Sequence, residues 1–221
     1  MSALVWDAAG TRFFETGVSK GVLYVQKPDG TYDNGVAWNG LTGVTESPDG
    51  AEPNDLYADN IKYATLRSAE TFGGTIEAYT YPDEFAQCDG SYTPTAGVYF
   101  GQQARKPFGF CYRTEVGSDT LDFNGDGYKL HIIYNATASP SEKSYETVND
   151  SPDAITLSWE ITTTPVILAA EGVKPLSTIT IDSTKLDATG KTALATLEGL
   201  LYGTQNSEPT LPTPDAILGM F

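Results

Sequence analysis

From Ile155 to Ile161 the side chains alternate without a break: Ile155, Leu157, Trp159 and Ile161 are apolar, while Thr156, Ser158 and Glu160 are polar. This period-two pattern describes a strand with one buried and one wet face. Segments rich in β-branched and aromatic residues repeat the theme at 21–26, 36–41, 61–67, 75–81, 97–102, 108–114, 128–134, 166–169 and 177–182. Turn signals separate many of them: Pro28-Asp29-Gly30, Asn34-Gly35, Asn39-Gly40 and the run from Asn124 to Gly127. The chain is expected to be mainly β.

One segment alone reads clearly as a helix. After Gly190, Leu194, Leu197 and Leu201 recur at helical spacing with Leu200 beside them, forming one apolar stripe that ends near Tyr202. Asp187 or Thr189 can cap its start, and Gly203 stands where a left-handed residue can end it. Gly199 inside this helix costs about 1 kcal/mol relative to alanine, and a close approach to the sheet would explain it. A weaker helical turn is expected at 82–87, where Asp83 and Glu84 suit a helix N-terminus. About ten strands and one late helix predict an antiparallel β-sandwich or barrel with the helix over an edge or mouth.

Charge narrows the function. Of 221 residues, 29 are Asp or Glu and 13 are Lys or Arg, a formal net charge of −16. Such a chain does not bind nucleic acid by neutralising phosphates, which takes clustered cations. No apolar run is long enough to span a membrane, and residues 1–7 lack the basic and apolar regions of a signal peptide. Cys88 and Cys111 therefore read as thiols in a reducing compartment, partly buried rather than bridged. One histidine and two cysteines leave few metal ligands, and no cofactor or metal is expected.

The remaining chemistry-bearing patterns each have a plainer reading. Asp122, Asn124 and Asp126 with Gly127 match the first half of a calcium loop, but its twelfth position is Ile133 and the flanks read as strand. A hairpin turn accounts for them. His131 alternates with Leu130, Ile132 and Tyr134 onto the opposite strand face, with no serine or cysteine nucleophile motif to complete a triad. Asn135-Ala-Thr137 is a glycosylation sequon, meaningless without secretion. No pair of carboxylates has a setting that nominates a glycosidase, and no phosphate-cradling glycine loop occurs. The chain does not read as an enzyme.

Two segments resist the β core. Residues 43–60 carry Glu46, Asp49, Glu52, Asp55 and Asp59 with no Lys or Arg, and read as a long acidic loop, usually a functional or mobile feature. Residues 204–221 hold three prolines and then an apolar hook that includes Ile217, Leu218, Met220 and Phe221, which should dock on its own domain or on a neighbouring subunit.

Four stretches in order resemble the major tail protein, or tail tube protein, of long-tailed (siphovirus-type) bacteriophages. They are Ile61–Leu66 through Thr75–Phe85 to Cys88-Asp-Gly90; Tyr128–Tyr145; Ser158–Ile161 to Thr164-Pro165; and Leu200–Gly203 with Pro209 and Leu211–Asp215. The resemblance implies two packed sheets with a flanking helix, and hexameric rings stacked into a hollow tube for DNA ejection. It implies an N-terminal arm at 1–14, a β-sandwich domain at 15–203 and a C-terminal interface segment at 204–221. In that family a long loop after the first two strands reaches the neighbouring ring, and 43–60 matches its position. Leu211, Pro212, Pro214, Ile217, Leu218 and Phe221 would then serve the C-terminal interface. The implied partners are further copies of the chain and the distal tail, tape measure and terminator proteins. The implied location is the virion tail, with synthesis in the bacterial host cytoplasm. DNA would pass without specific binding, eased by lumenal acid. The competing reading is a β-sandwich binding module for carbohydrate or a cell surface, with some of its 13 Tyr and 3 Trp as stacking platforms.

Overall fold

The computed structural model describes residues 3–50, 52–119, 127–145, 147, 154–170 and 172–221. The half calcium loop at 122–126 lies outside them. Along the chain run β1 (Phe13–Val25), β2 (Val36–Trp38), β3 (Leu41–Glu46), β4 (Asp49–Gly50), β5 (Pro53–Ala58), β6 (Ile61–Arg67), β7 (Glu70–Thr71) and β8 (Gly73–Ala78). A 3₁₀ turn (Asp83–Gln87) follows, then β9 (Tyr92–Thr95), β10 (Val98–Phe100), β11 (Phe108–Ser118), β12 (Gly127–Ala138), β13 (Leu157–Thr163) and β14 (Thr178–Asp182). Two helices close the chain, α1 (Ala188–Tyr202) and α2 (Pro214–Leu218).

The main sheet is antiparallel throughout, in the order β2-β1-β11-β12-β13-β8-β3. Strand β12 serves two neighbours on one edge. Lys129–Ile133 pair with β14, and Ala136–Ala138 pair with β13. The break falls at Asn135, which has φ of +48° and whose side-chain oxygen accepts hydrogen bonds from Gln26 and from the Tyr32 hydroxyl. Past this point β13, β8 and β3 curl over the inner face until β3 meets β1. The result is a rolled β-sandwich.

Both faces of the central strands are covered, so their sequences are apolar in runs rather than in alternation. Leu23, Val25, Phe108, Phe110 and Ile133 point inward to Trp38, Ile76, Phe85, Trp159 and Ile161. Trp38 lies within that core, with ring centroids 4.6 Å from Phe85, 5.5 Å from Phe110 and 5.6 Å from Trp159. Val22, Tyr24, Cys111, Leu130, Ile132 and Tyr134 point outward onto Leu194, Leu197 and Leu201 of α1. Each of these large side chains contributes about 1.5–3 kcal/mol by leaving water. Cys88 and Cys111 are free, buried and on opposite faces of the sheet, and burial pushes both thiols up to about 12.

Several expectations need correction. The segment 43–60 is not a structureless loop, since β3, β4 and β5 occupy most of it. Its pairing partners come later in the sequence, in β6, β7 and β8. Residues 36–41 divide into two strands at Gly40, where φ is +76°. The segment 166–169 forms only a single bridge, Val166 with Leu176. In α1, a Cβ on Gly199 would meet nothing nearer than Thr204 Cγ2 at 3.8 Å, so no close approach to the sheet explains that glycine. The helix ends match the reading: Asp187 Oδ1 accepts from the Gly190 amide at 2.8 Å, and Gly203 has φ of +75°.

Candidate assembly surface

Three elements leave the sandwich, and each carries apolar side chains into solvent. The longest is the excursion between β3 and β8. Short strands β4 and β7 form its stalk, and β5 and β6 form a hairpin beyond it. Asp59 and Asn60 turn that hairpin, with φ of +51° and +62°, the positive pair that a two-residue turn matching strand twist requires. The hairpin has no buried face. Tyr57 is 71% exposed, Ile61 63% and Tyr63 74%, with Leu56 and Leu66 also exposed. Aromatic and branched residues here gain nothing from their own domain.

The N-terminal arm is the second element. Before β1, Leu4, Val5 and Trp6 lie largely in solvent, Trp6 at 76%. The arm is held to the body at its root, where both carboxylate oxygens of Asp119 accept from the Gly10 amide at 3.0 and 3.2 Å. The third element is the β9–β10 hairpin, which exposes Tyr92, Val98, Tyr99 and Phe100. Scattered apolar residues on a surface need no explanation, but contiguous ones on projecting ribbons mark contact with another molecule.

The acidic residues of 43–60 take separate places on the first element. Asp49 and Glu52 lie exposed along the stalk and start of the hairpin, and Asp59 occupies its turn. Asp55 accepts from Thr65 at 2.7 Å and pairs with Lys62 at 2.8 Å, which together hold its carboxyl below the ordinary range. The cation missing from 43–60 is thus supplied by the return strand. Glu46 stands apart from the others at the root, where β3 leaves the sheet. Its Oε1 accepts from the Tyr112 hydroxyl at 2.7 Å and lies 3.4 Å from His131 Nδ1. The His131 hydrogen bond, against the opposing pull of burial and aided by Tyr112, holds the Glu46 carboxyl below the ordinary range. The sequence offered no signal for this cluster, because its members come from strands far apart in the chain.

The C-terminal segment is divided between its own domain and solvent. Leu211 and Ile217 are buried in the outer core, beside Tyr134. The Tyr134 hydroxyl donates to the Pro212 carbonyl at 2.9 Å, and Pro214 is buried at the first position of α2. Thr213 caps that helix by accepting from the Ala216 amide at 3.3 Å. Leu218 and Phe221 remain exposed, at 54% and 50%. The expected docking on its own domain is thus met in part, and the short helix is masked in the sequence by three prolines.

Of the three tryptophans, Trp38 and Trp159 are buried in the inner core, so only Trp6 could offer its ring to a ligand. Among the described residues, no group of three or more His, Cys, Asp and Glu side chains is placed to hold a metal, and no helix is long and apolar enough to cross a membrane.

No family model and no curated protein matches the chain. Among solved structures, it is similar to a chain of an extracellular contractile injection system, the PVC sheath–tube complex in its extended state. The identity is 12% and the TM-score 0.32, over 80% of this chain and 93% of that one. A likeness of that size does not by itself assign a function.

Proposed function

We propose that the chain is the subunit of a phage-type tail tube, assembling into stacked hexameric rings around a hollow conduit for DNA. The observation that carries this reading is the set of projecting ribbons. The β5–β6 hairpin, the β9–β10 hairpin and the N-terminal arm expose aromatic and branched side chains that their own domain covers only in part. Burying them takes another molecule, and their distribution over three separate projections suits contact with several neighbours at once. The sequence resemblance supplies the geometry of that assembly: rings, a lumen, and a long element after the early strands that reaches the next ring. The stalk and hairpin at 47–72 would be that element. Leu218 and Phe221 would extend the interface from the C-terminal helix. Other tail components, the distal tail, tape measure and terminator proteins, would meet the two ends and the bore.

Negative-stain electron microscopy of the purified chain, dilute and concentrated, tests the reading. Hollow tubes or six-fold rings are expected as concentration rises. Uniform monomers across the range, at high salt included, overturn it.

A further inference from the structure

His131 sits at the meeting point of the roots of two projecting elements. Glu15, on β1 just after the N-terminal arm, approaches its Nε2 at 3.6 Å. Glu46, on β3 just before the stalk and hairpin, approaches its Nδ1 at 3.4 Å. The imidazole is buried on the inner face and stacks on Tyr112 of β11, centroids 4.6 Å apart and planes 4° apart. From β11, Thr114 Oγ1 lies 3.0 Å from Nε2, and from β14, Thr180 Oγ1 lies 3.5 Å from Nδ1. Lys129 of β12 pairs with Glu15 and so occupies its other oxygen. Asp182 of β14 stands opposite Lys129 in the ladder and attracts its ammonium.

The hydrogen-bond directions decide which nitrogen can change. Thr114 donates its one proton to Glu15 Oε1 at 2.6 Å, so towards His131 it can only accept. Nε2 must therefore carry a hydrogen. A neutral ring then has none on Nδ1, and a bare lone pair faces the Glu46 carboxylate. In that state the Thr180 hydroxyl is the group that can donate to Nδ1. Protonation places a hydrogen on Nδ1 and turns the contact with Glu46 into a charge-assisted bond.

We propose that His131 is a protonation-dependent clamp that fastens the root of the 47–72 excursion to the sheet through Nδ1 and Glu46. The clamp closes when Nδ1 gains a proton and opens when it loses it. The root of the excursion is then held more tightly to β12, while on the other side of the ring Nε2 keeps its hydrogen and Glu15 gains only the attraction of the ring's charge. The device belongs to the single chain and does not depend on the assembly reading.

Hydrogen–deuterium exchange on the dilute wild-type chain at about pH 5.5 and 8, corrected for the intrinsic pH dependence of exchange, tests it. Peptides covering 41–50 and 68–76 are expected to exchange roughly two- to fivefold more slowly at the lower pH, the range of a partly exposed ion pair. Glu46→Gln and His131→Gln should each abolish that difference. Glu46→Gln alters a half-exposed side chain, so it reports even if the His131 variant folds poorly. An equal corrected rate at both pH values in wild type, or a difference that survives in Glu46→Gln, overturns the proposal.

Discussion

Gly74 shows how one missing side chain permits the projecting ribbon. It lies where β3 crosses β8, and a Cβ there would stand 2.5 Å from the Thr45 carbonyl oxygen. That atom is backbone, so the strands themselves must part. Gly74→Ala should therefore cost about 1–3 kcal/mol, the usual penalty for overpacking, and loosen the excursion at its root. Urea denaturation followed by far-UV circular dichroism checks it, and an unchanged midpoint would show that β3 is not gripped there. Glu46 makes a second prediction through its titration. Its carboxyl titrates below the ordinary range in the folded chain. The stabilisation it brings on the acid side is thus lost as pH falls from about 4.3, the ordinary glutamate value, through the folded value. Glu46→Gln removes that linkage, so its urea midpoint should fall less steeply than that of wild type on acidification below about pH 4.3. Glu15 behaves alike: burial alone would raise its carboxyl, but hydrogen bonds from Lys129 and Thr114 outweigh it and hold the carboxyl low.

Elements differ in how much of them could be read from the residues. Helix α1 was plain, since Leu194, Leu197 and Leu201 form a single stripe and Asp187 caps it. β13 was equally plain, since it buries one face. The hairpin of β5 and β6 was half visible at best. Both of its faces are exposed, so no alternation of apolar and polar residues marks it, and prolines and acids at 48–55 suggest a loop. The return strand was the part that showed, since 61–67 is rich in β-branched and aromatic residues and is β6. β1 extends beyond the segment 21–26 for a related reason: its first part, from Phe13 to Gly17, is exposed and carries no apolar pattern of its own. The cluster around His131 was hidden by sequence distance rather than by composition. Gly199 yields an element-scale prediction that reverses the first expectation. With open space around its absent Cβ, Gly199→Ala should stabilise the chain by about 1 kcal/mol. That should appear as a rise in Tm of about 2–4 °C for a chain of this size. No rise, or a fall, would mean that the helix needs the glycine. Replacing 53–67 with a short Gly-Ser link should leave near-UV circular dichroism of the body intact, because the aromatic core lies elsewhere, and should abolish tubes.

At the scale of the whole molecule, the C-terminal segment and the net charge decide how assembly can be probed. Removing 209–221 would take Leu211 and Ile217 out of the outer core, so lost assembly in that deletion would report on folding as much as on contact. Exchanging the exposed Leu218 and Phe221 for serine separates the two. The monomer should keep its Tm while tube formation weakens, and unchanged assembly would remove these residues from the interface. Charge sets the opposing force. In the proposed assembly six copies at −16 each would have to come together in every ring, and rings would then have to stack. The attraction available is short-ranged, from apolar ribbons and strand edges, whereas the repulsion reaches as far as the ionic atmosphere allows. That reach is about 30 Å at 0.01 M salt, about 8 Å at 0.15 M and about 3 Å at 1 M. Added salt therefore removes repulsion between whole subunits long before it touches the apolar contacts, which it does not weaken. Tube mass measured by light scattering should rise, and its lag should shorten, as sodium chloride increases from about 0.05 to 0.5 M. Tubes that form at low salt and dissolve at high salt would mean instead that ion pairs between subunits hold the structure. Its acidity would then have to be matched, patch by patch, by the few lysines and arginines of the neighbouring copy.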